Sequence, residues 1–282
     1  MATSVNLNPG AATTALTPAQ CKVEHRGWDT FKCMQRSASG DPCGLEDREV
    51  HLWAVQLDAS DRDLARCSSW LSAEEEDRAG RFKFDHHRRD FVVSHGILRL
   101  LLGEYSKTSP VDIIFSYGTK GKPCVTDTGC SIRFNMSHSG RMAVYAFVAG
   151  CEIGVDVERL RPLADMEDIA ARFFSAEEAA ELKDVEEASR TQGFFNCWTR
   201  KEAYIKALGD GLSLPLDGFR VSLNPSEPAE LLSLGGDAQA AKLWTLHHFI
   251  PATDYIGAIA YRDVPRPLLL RPVVSAEDLL AR

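Results

Sequence analysis

Apolar residues fall at every second position of Ile153-Gly154-Val155-Asp156-Val157-Glu158, which predicts a strand. Such a strand turns Ile153, Val155 and Val157 to one face. Gly154, Asp156 and Glu158 take the other, so the two carboxylates stand about 7 Å apart at their roots. Further along, the period lengthens. In Trp198-Thr199-Arg200-Lys201-Glu202-Ala203-Tyr204-Ile205-Lys206, the residues Trp198, Glu202 and Lys206 recur every four positions. That spacing predicts a helix with an apolar anchor, a carboxylate and a cation on one stripe.

The same reading places a strand over 50–57. Ser72 with Glu75 three residues on forms a capping box, opening a helix that continues through Arg78, Arg81 and Phe82. A second helix is expected over 91–105, where Val92, Leu98, Leu101 and Leu102 make an apolar stripe. Short β segments follow at 113–115 and 132–135, then a strand at 142–148, and Gly150 turns the chain toward Asp156. Helices at 165–172, 175–183 and 191–208 come next, with strands at 219–223, 243–249 and 255–261. The second half thus loosely repeats the order of the first, and the division falls near Ala149-Gly150. This gives an α+β chain of two halves, 48–149 and 150–282. Residues 1–47, rich in Ala, Thr, Asn, Ser and Gly and without periodicity, read as a flexible extension. A cleaved transit peptide is the alternative, weakened by the scarcity of arginine before Arg26.

Composition narrows the class. The chain has 282 residues, 44% of them apolar, enough for a globular core, and its net charge of −8 argues against a general nucleic-acid binder. No apolar stretch is long enough for a membrane span. Its eight cysteines form no CxxC pair and no metal-type Cys/His spacing, so they read as free thiols of a cytoplasmic protein.

Three carboxylates, Asp156, Glu158 and Glu202, with Lys206 on two rigid elements suit a hard cation facing a phosphate. Plainer readings exist for each. Asp156 and Glu158 could be solvated acids of an edge strand, and Glu202 could simply pair with Lys206 at i,i+4. Arg78, Arg81, Lys83, His86, His87, Arg88 and Arg89 crowd one segment. They read either as a helix end neutralised by Glu74, Glu75, Glu76 and Asp77, or as a clamp for a phosphate. Ser175-Ala176-Glu177-Glu178 is a capping box that accounts for Glu178 by itself.

These stretches also resemble, in order, the motifs of the 4′-phosphopantetheinyl transferases of the monomeric, two-half type that activates peptide and polyketide synthetases. Gly121-Lys122-Pro123, Asn135-Met136-Ser137-His138-Ser139-Gly140, Arg172-Phe173-Phe174-Ser175 and Gly211-Leu212-Ser213-Leu214-Pro215-Leu216 extend the match over about 50–260. The resemblance implies two similar α/β halves in pseudo-two-fold arrangement with the active site in the cleft between them. It implies coenzyme A and an apo acyl or peptidyl carrier as substrates, with no nucleic acid or membrane partner. Mg2+ would face Asp156, Glu158 and Glu202. Ser137 and His138 would lie against the phosphates and Lys122-Pro123 by the adenosine, with Lys201 touching phosphate or balancing the acids. One of Arg81, Arg88 or Arg89 would hold the 3′-phosphate. Lys206 would stabilise the leaving phosphate, Glu202 would take the serine proton, and Glu178 and Trp198 would stand behind the site. A magnesium-dependent pyrophosphate-cleaving enzyme or a non-catalytic carrier-binding scaffold are the rival readings.

Overall fold

The computed structural model describes residues 45, 49–126, 132–209 and 214–281. The expected extension, apart from Leu45, and Gly211-Leu212-Ser213 of the last motif lie outside the described residues.

In chain order the first half holds β1 (Val50–Gln56), α1 (Asp61–Ser68), α2 (Ala73–Gly80), α3 (Asp85–Ser106), β2 (Phe115–Tyr117), β3 (Pro123–Val125), β4 (Ile132–Ser139) and β5 (Met142–Ala149). After Gly150, at φ +76°, come β6 (Ile153–Arg159), α4 (Met166–Phe173), α5 (Ala176–Asp184) and α6 (Glu187–Leu208). Then follow β7 (Phe219–Val221), β8 (Leu231–Leu234), α7 (Ala238–Ala241), β9 (Thr245–Phe249) and β10 (Tyr255–Tyr261). β11 (Leu268–Leu270), β12 (Val274–Ser275) and α8 (Ala276–Leu280) close the chain. The architecture is mixed α+β, as expected.

Strand alternation explains the layering. On β5, Ala143, Tyr145 and Phe147 face α3 residues such as Val93, Ile97 and Leu101, while Val144, Ala146 and Val148 face the other way. There they meet Ile153, Val155 and Val157 of β6 and Ile259 of β10. The far side of β10, through Ile256, Ala258 and Ala260, packs on Trp198, Ala203 and Tyr204 of α6. The order of layers is therefore α3, the sheet β11-β1-β5-β4, the sheet β6-β10-β9, then α6. Every position of β5 is buried, as a strand between two apolar layers requires.

The division at Gly150 is not the whole organisation of the chain. β11 and β12 pair in parallel with β1, and Leu279 of α8 enters the core under α3, so residues 268–280 belong with the first sheet. The helix opened by Ser72 ends at Gly80, with Arg81 only capping it. α3 starts at Asp85 rather than near 91; its first turn is polar, mostly exposed and without a side-chain cap, so no apolar period marks it. β4 runs past the expected 132–135 to include Ser137 and His138, and the turn follows at Gly140, φ +54°.

Candidate active site

β6 and α6 bring the chemistry together through a glycine. Gly154 lies on the α6 face of β6, and a Cβ there would overlap the backbone of Ala203 and Ala207. With no side chain between them the two elements touch, so Asp156, two residues on, meets Lys206 of α6. The Lys206 Nζ lies 2.6 Å from Asp156 Oδ1 and 2.9 Å from Ser137 Oγ. Ser137 in turn donates to Asp156 Oδ1 at 2.8 Å. Asp156 is 4% exposed, and its Oδ2 is buried without a hydrogen-bond partner.

Glu158 and Glu202 complete the acidic set. Burial and the neighbouring Asp156 charge push the Glu158 carboxyl up to about 7, against the opposing pull of Ser139, Arg161 and Lys206. Burial, Asp156 and Glu158 likewise push Glu202 up to about 7, with Lys206 opposing. Burial works against the Lys206 ammonium, yet Asp156, Glu202 and Glu158 together hold its pKa above the ordinary lysine value. Three carboxyls share one lysine, and two of them carry unmet repulsion. The acids do not yet enclose a point: among the described residues no three His, Cys, Asp or Glu side chains stand as a ready-made metal cage. The orphaned Asp156 Oδ2 and the raised Glu158 and Glu202 nevertheless make an oxygen donor set that fits a hard divalent cation.

His138 stands beside this centre. Burial, then the charges of Lys206, His87 and Arg78, lower its pKa to about 4, so its ring is neutral at pH 7. Arg78 and His87 are thus the members of the basic segment whose field reaches the site. Arg81 pairs with Asp77, Arg88 with Asp85 at 2.9 Å, and Arg89 with Asp61 at 2.7 Å. Nothing in the sequence distinguished Arg78 and His87 from their neighbours, because only the chain fold turns them toward β4.

The phosphate contact expected of Lys201 is corrected. Lys201 is 1% exposed, and its ammonium is consumed by Glu178 at 2.7 Å, Leu216 O at 2.7 Å and Phe219 O at 2.6 Å. One position before Glu202 on α6, it points into the core and cannot reach a phosphate. Glu178 is fully buried; besides Lys201 it accepts from the Ser175 amide at 2.8 Å and the Val221 amide at 2.7 Å, so its role is structural. Lys122 is also engaged, donating to Glu152 at 2.7 Å, Ile153 O at 3.0 Å and Ala207 O at 2.8 Å. It ties the end of α6 to the start of β6, and with Pro123 it borders a groove of about 350 Å3. Trp198 anchors α6 as expected, packed edge-on against Phe173 with ring centroids 5.9 Å apart.

Residues 152–260 match the model of the 4′-phosphopantetheinyl transferase superfamily, and residues 55–150 match that of the 4′-phosphopantetheinyl transferase N-terminal region. The chain is 39% identical over 214 residues to the 4′-phosphopantetheinyl transferase HetI of Nostoc sp., covering 75% of this chain and 87% of that protein. It is 36% identical over 235 residues to the 4′-phosphopantetheinyl transferase Sfp of Bacillus subtilis, covering 82% of this chain and all of that protein. Among solved structures, an ACPS–CoA complex of Chronobacterium ammoniagenes aligns with 40% of this chain and 96% of its own, at 20% identity and a TM-score of 0.32. The two matched segments meet at the turn before β6, and the second contains Asp156, Glu158, Glu202 and Lys206. The chain belongs to the 4′-phosphopantetheinyl transferases and is an enzyme that transfers phosphopantetheine.

Proposed function

We propose that the enzyme moves the 4′-phosphopantetheine arm of coenzyme A onto a serine hydroxyl of an apo acyl or peptidyl carrier, releasing 3′,5′-ADP, with magnesium required. The observation that carries this reading is the buried Asp156, bonded to Lys206 and Ser137 through one oxygen and unpartnered at the other. Asp156, Glu158 and Glu202 would hold Mg2+, which when bound neutralises pyrophosphate charge. The serine oxygen forms a bond to the β-phosphorus, and the bond from that phosphorus to the bridging oxygen breaks. Lys206 stabilises the charge that appears on the leaving phosphate. Arg78, His87 and neutral His138 would face the phosphates of coenzyme A, and the groove beside Lys122 and Pro123 would take the adenosine.

The serine proton needs an acceptor. A carboxylate on a dication is a weakened base, so ligand and base duties compete. Ser137 and Ser139 donate to Asp156 and Glu158, whereas no hydrogen bond from the described residues reaches Glu202. Glu202, the carboxyl of the three that no seryl hydroxyl holds, would take the proton directly or through a water between it and the serine. β4, β6 and α6 of one chain supply Ser137, Asp156, Glu158, Glu202 and Lys206, so the acidic centre needs no residue of a second copy, as a monomer requires. Cys67, Cys124, Cys151 and Cys197 are free thiols, which supports a reducing, cytoplasmic setting.

The deciding assay incubates the protein with coenzyme A and Mg2+, with and without an apo carrier. Transfer predicts a carrier heavier by one phosphopantetheine in the intact mass and 3′,5′-ADP only when carrier is present; release without carrier would instead make it a pyrophosphate-cleaving enzyme. Lys206→Ala should lower the turnover rate by about a hundredfold at saturating coenzyme A, as expected for one lost preorganised cation. Lys206→Arg should recover only part, since a planar guanidinium cannot place its charge as a compact point. An unchanged maximal rate with a raised coenzyme A requirement would reduce Lys206 to ground-state binding.

The raised carboxyls also predict a pH dependence of the metal-free protein. Between about 4.5 and about 7 the folded state keeps protons on Glu158 and Glu202 that the unfolded chain has released. Their contribution to stability is therefore present at pH 4.5 and lost as pH rises through 7. Glu202→Gln removes one repelling charge, so in chelator its melting temperature should exceed the wild type's at pH 8 and match it near pH 5. Equal gains at both pH values would show that Glu202 does not titrate under strain.

A further inference from the structure

β4 and β6 lie side by side, yet among the described residues no backbone ladder joins them. Side chains at alternate positions of β4 bridge the gap instead. Asn135 Oδ1 accepts from the Val155 amide at 2.9 Å, Ser137 donates to Asp156, and Ser139 donates to Glu158 Oε2 at 2.7 Å. Ser139 Oγ also accepts from the Arg159 amide at 3.1 Å. A hydroxyl has one proton, and with an amide proton already directed at the oxygen, that proton is committed to Glu158.

The pattern repeats in register. Each serine occupies one oxygen of one carboxylate and leaves the other: Asp156 Oδ2 has no partner, and the described residues make no hydrogen bond or ion pair with Glu158 Oε1. Arg161 adds only a longer contact, 3.7 Å, and to the same oxygen that Ser139 holds. Glutamate has three side-chain torsions, and an unheld carboxylate samples many orientations at a cost in entropy when a ligand is bound.

We propose that Ser139 is a positioning residue for the divalent cation: its hydroxyl fixes Glu158 through Oε2 and leaves Oε1 to the metal, as Ser137 does for Asp156. This rests on the proposed reading of Asp156 and Glu158 as magnesium ligands. Hydrogen-bond partners of metal-ligating side chains typically affect affinity by about ten- to a hundredfold, and the same range is expected here.

The experiment titrates Mn2+ alone into the full-length protein, follows the spin resonance of the free ion, and repeats the titration with Mg2+ as competitor. Ser139→Ala should weaken metal binding by about tenfold or more, and Ser139→Thr, which keeps the hydroxyl, should restore most of it. Asn135→Ala removes a seam bond without touching a carboxylate, and should lower the melting temperature while binding Mn2+ like wild type. If Ser139→Ala binds normally while Glu158→Ala does not, the ligand assignment stands and the role of Ser139 falls. If Asn135→Ala weakens the metal as much as Ser139→Ala, the seam acts only as structure and the proposal is overturned. If wild type and Glu158→Ala bind Mn2+ equally, the ligand assignment fails and the proposal with it.

Discussion

Asp156→Ala should cut phosphopantetheine transfer by at least about a hundredfold, the scale seen when one preorganised charge is removed from a reacting centre. Asp156 touches everything in the site: Lys206 and Ser137 directly, and Glu158 and Glu202 through their pKa values. Removing one partner of a buried ion pair is normally strongly destabilising. Here Glu202 and Glu158 still face the lysine and lose a repelling neighbour, so the melting temperature should fall by only a few degrees. Asp156→Asn is the sharper variant, because it keeps the shape and the Ser137 hydrogen bond while removing the charge. Rates measured by intact mass of the carrier, with circular dichroism on the same samples, decide it. A tenth or more of wild-type turnover in Asp156→Asn at ordinary magnesium would exclude this carboxylate as a ligand.

Much of that centre was legible before any coordinates. Alternation over Ile153 to Glu158 was enough to place Asp156 and Glu158 on the face opposite the valines, and the four-residue recurrence put Glu202 and Lys206 on one stripe of α6. Both capping boxes, Ser72 with Glu75 and Ser175 with Glu178, form as read. These features are local, and local signals survive folding when tertiary contacts agree with them.

What was missed depends on neighbours distant in sequence. Lys122 was read beside the adenosine and Lys201 on a phosphate or balancing the acids; their partners include the carbonyls of Ala207, Leu216 and Phe219, which no spacing rule supplies. The return of residues 268–280 to β1 is a parallel pairing across more than 200 positions, invisible to periodicity. α1 was missed although its signal exists: Ser60 accepts from the Asp63 amide as a helix cap, and Cys67 faces the core. Ser139 was read only as part of a motif, and its bond to Glu158 emerges once β4 and β6 are seen to lack a ladder.

Gly154→Ala should be the most damaging added methyl among the described glycines. Its Cβ would overlap the Ala203 carbonyl and the Ala207 amide, which are helix backbone rather than the movable end of a side chain. Overpacking a buried site costs about 1–3 kcal/mol when side chains can yield; with backbone on the other side the cost should lie at the top of that range, about 3 kcal/mol. Relief requires α6 to move away from β6, and α6 carries Glu202 and Lys206. A shift of about 1 Å at a reacting centre can cost on the order of a hundredfold in rate. Gly80→Ala supplies the comparison, because nothing lies within 4 Å of a Cβ at that position, and it should be neutral or mildly stabilising. Urea unfolding and turnover of the two variants would separate seat from site. A Gly154→Ala protein with wild-type midpoint and rate would mean that β6 and α6 have room between them, and that their contact does not set the spacing of Asp156 and Lys206.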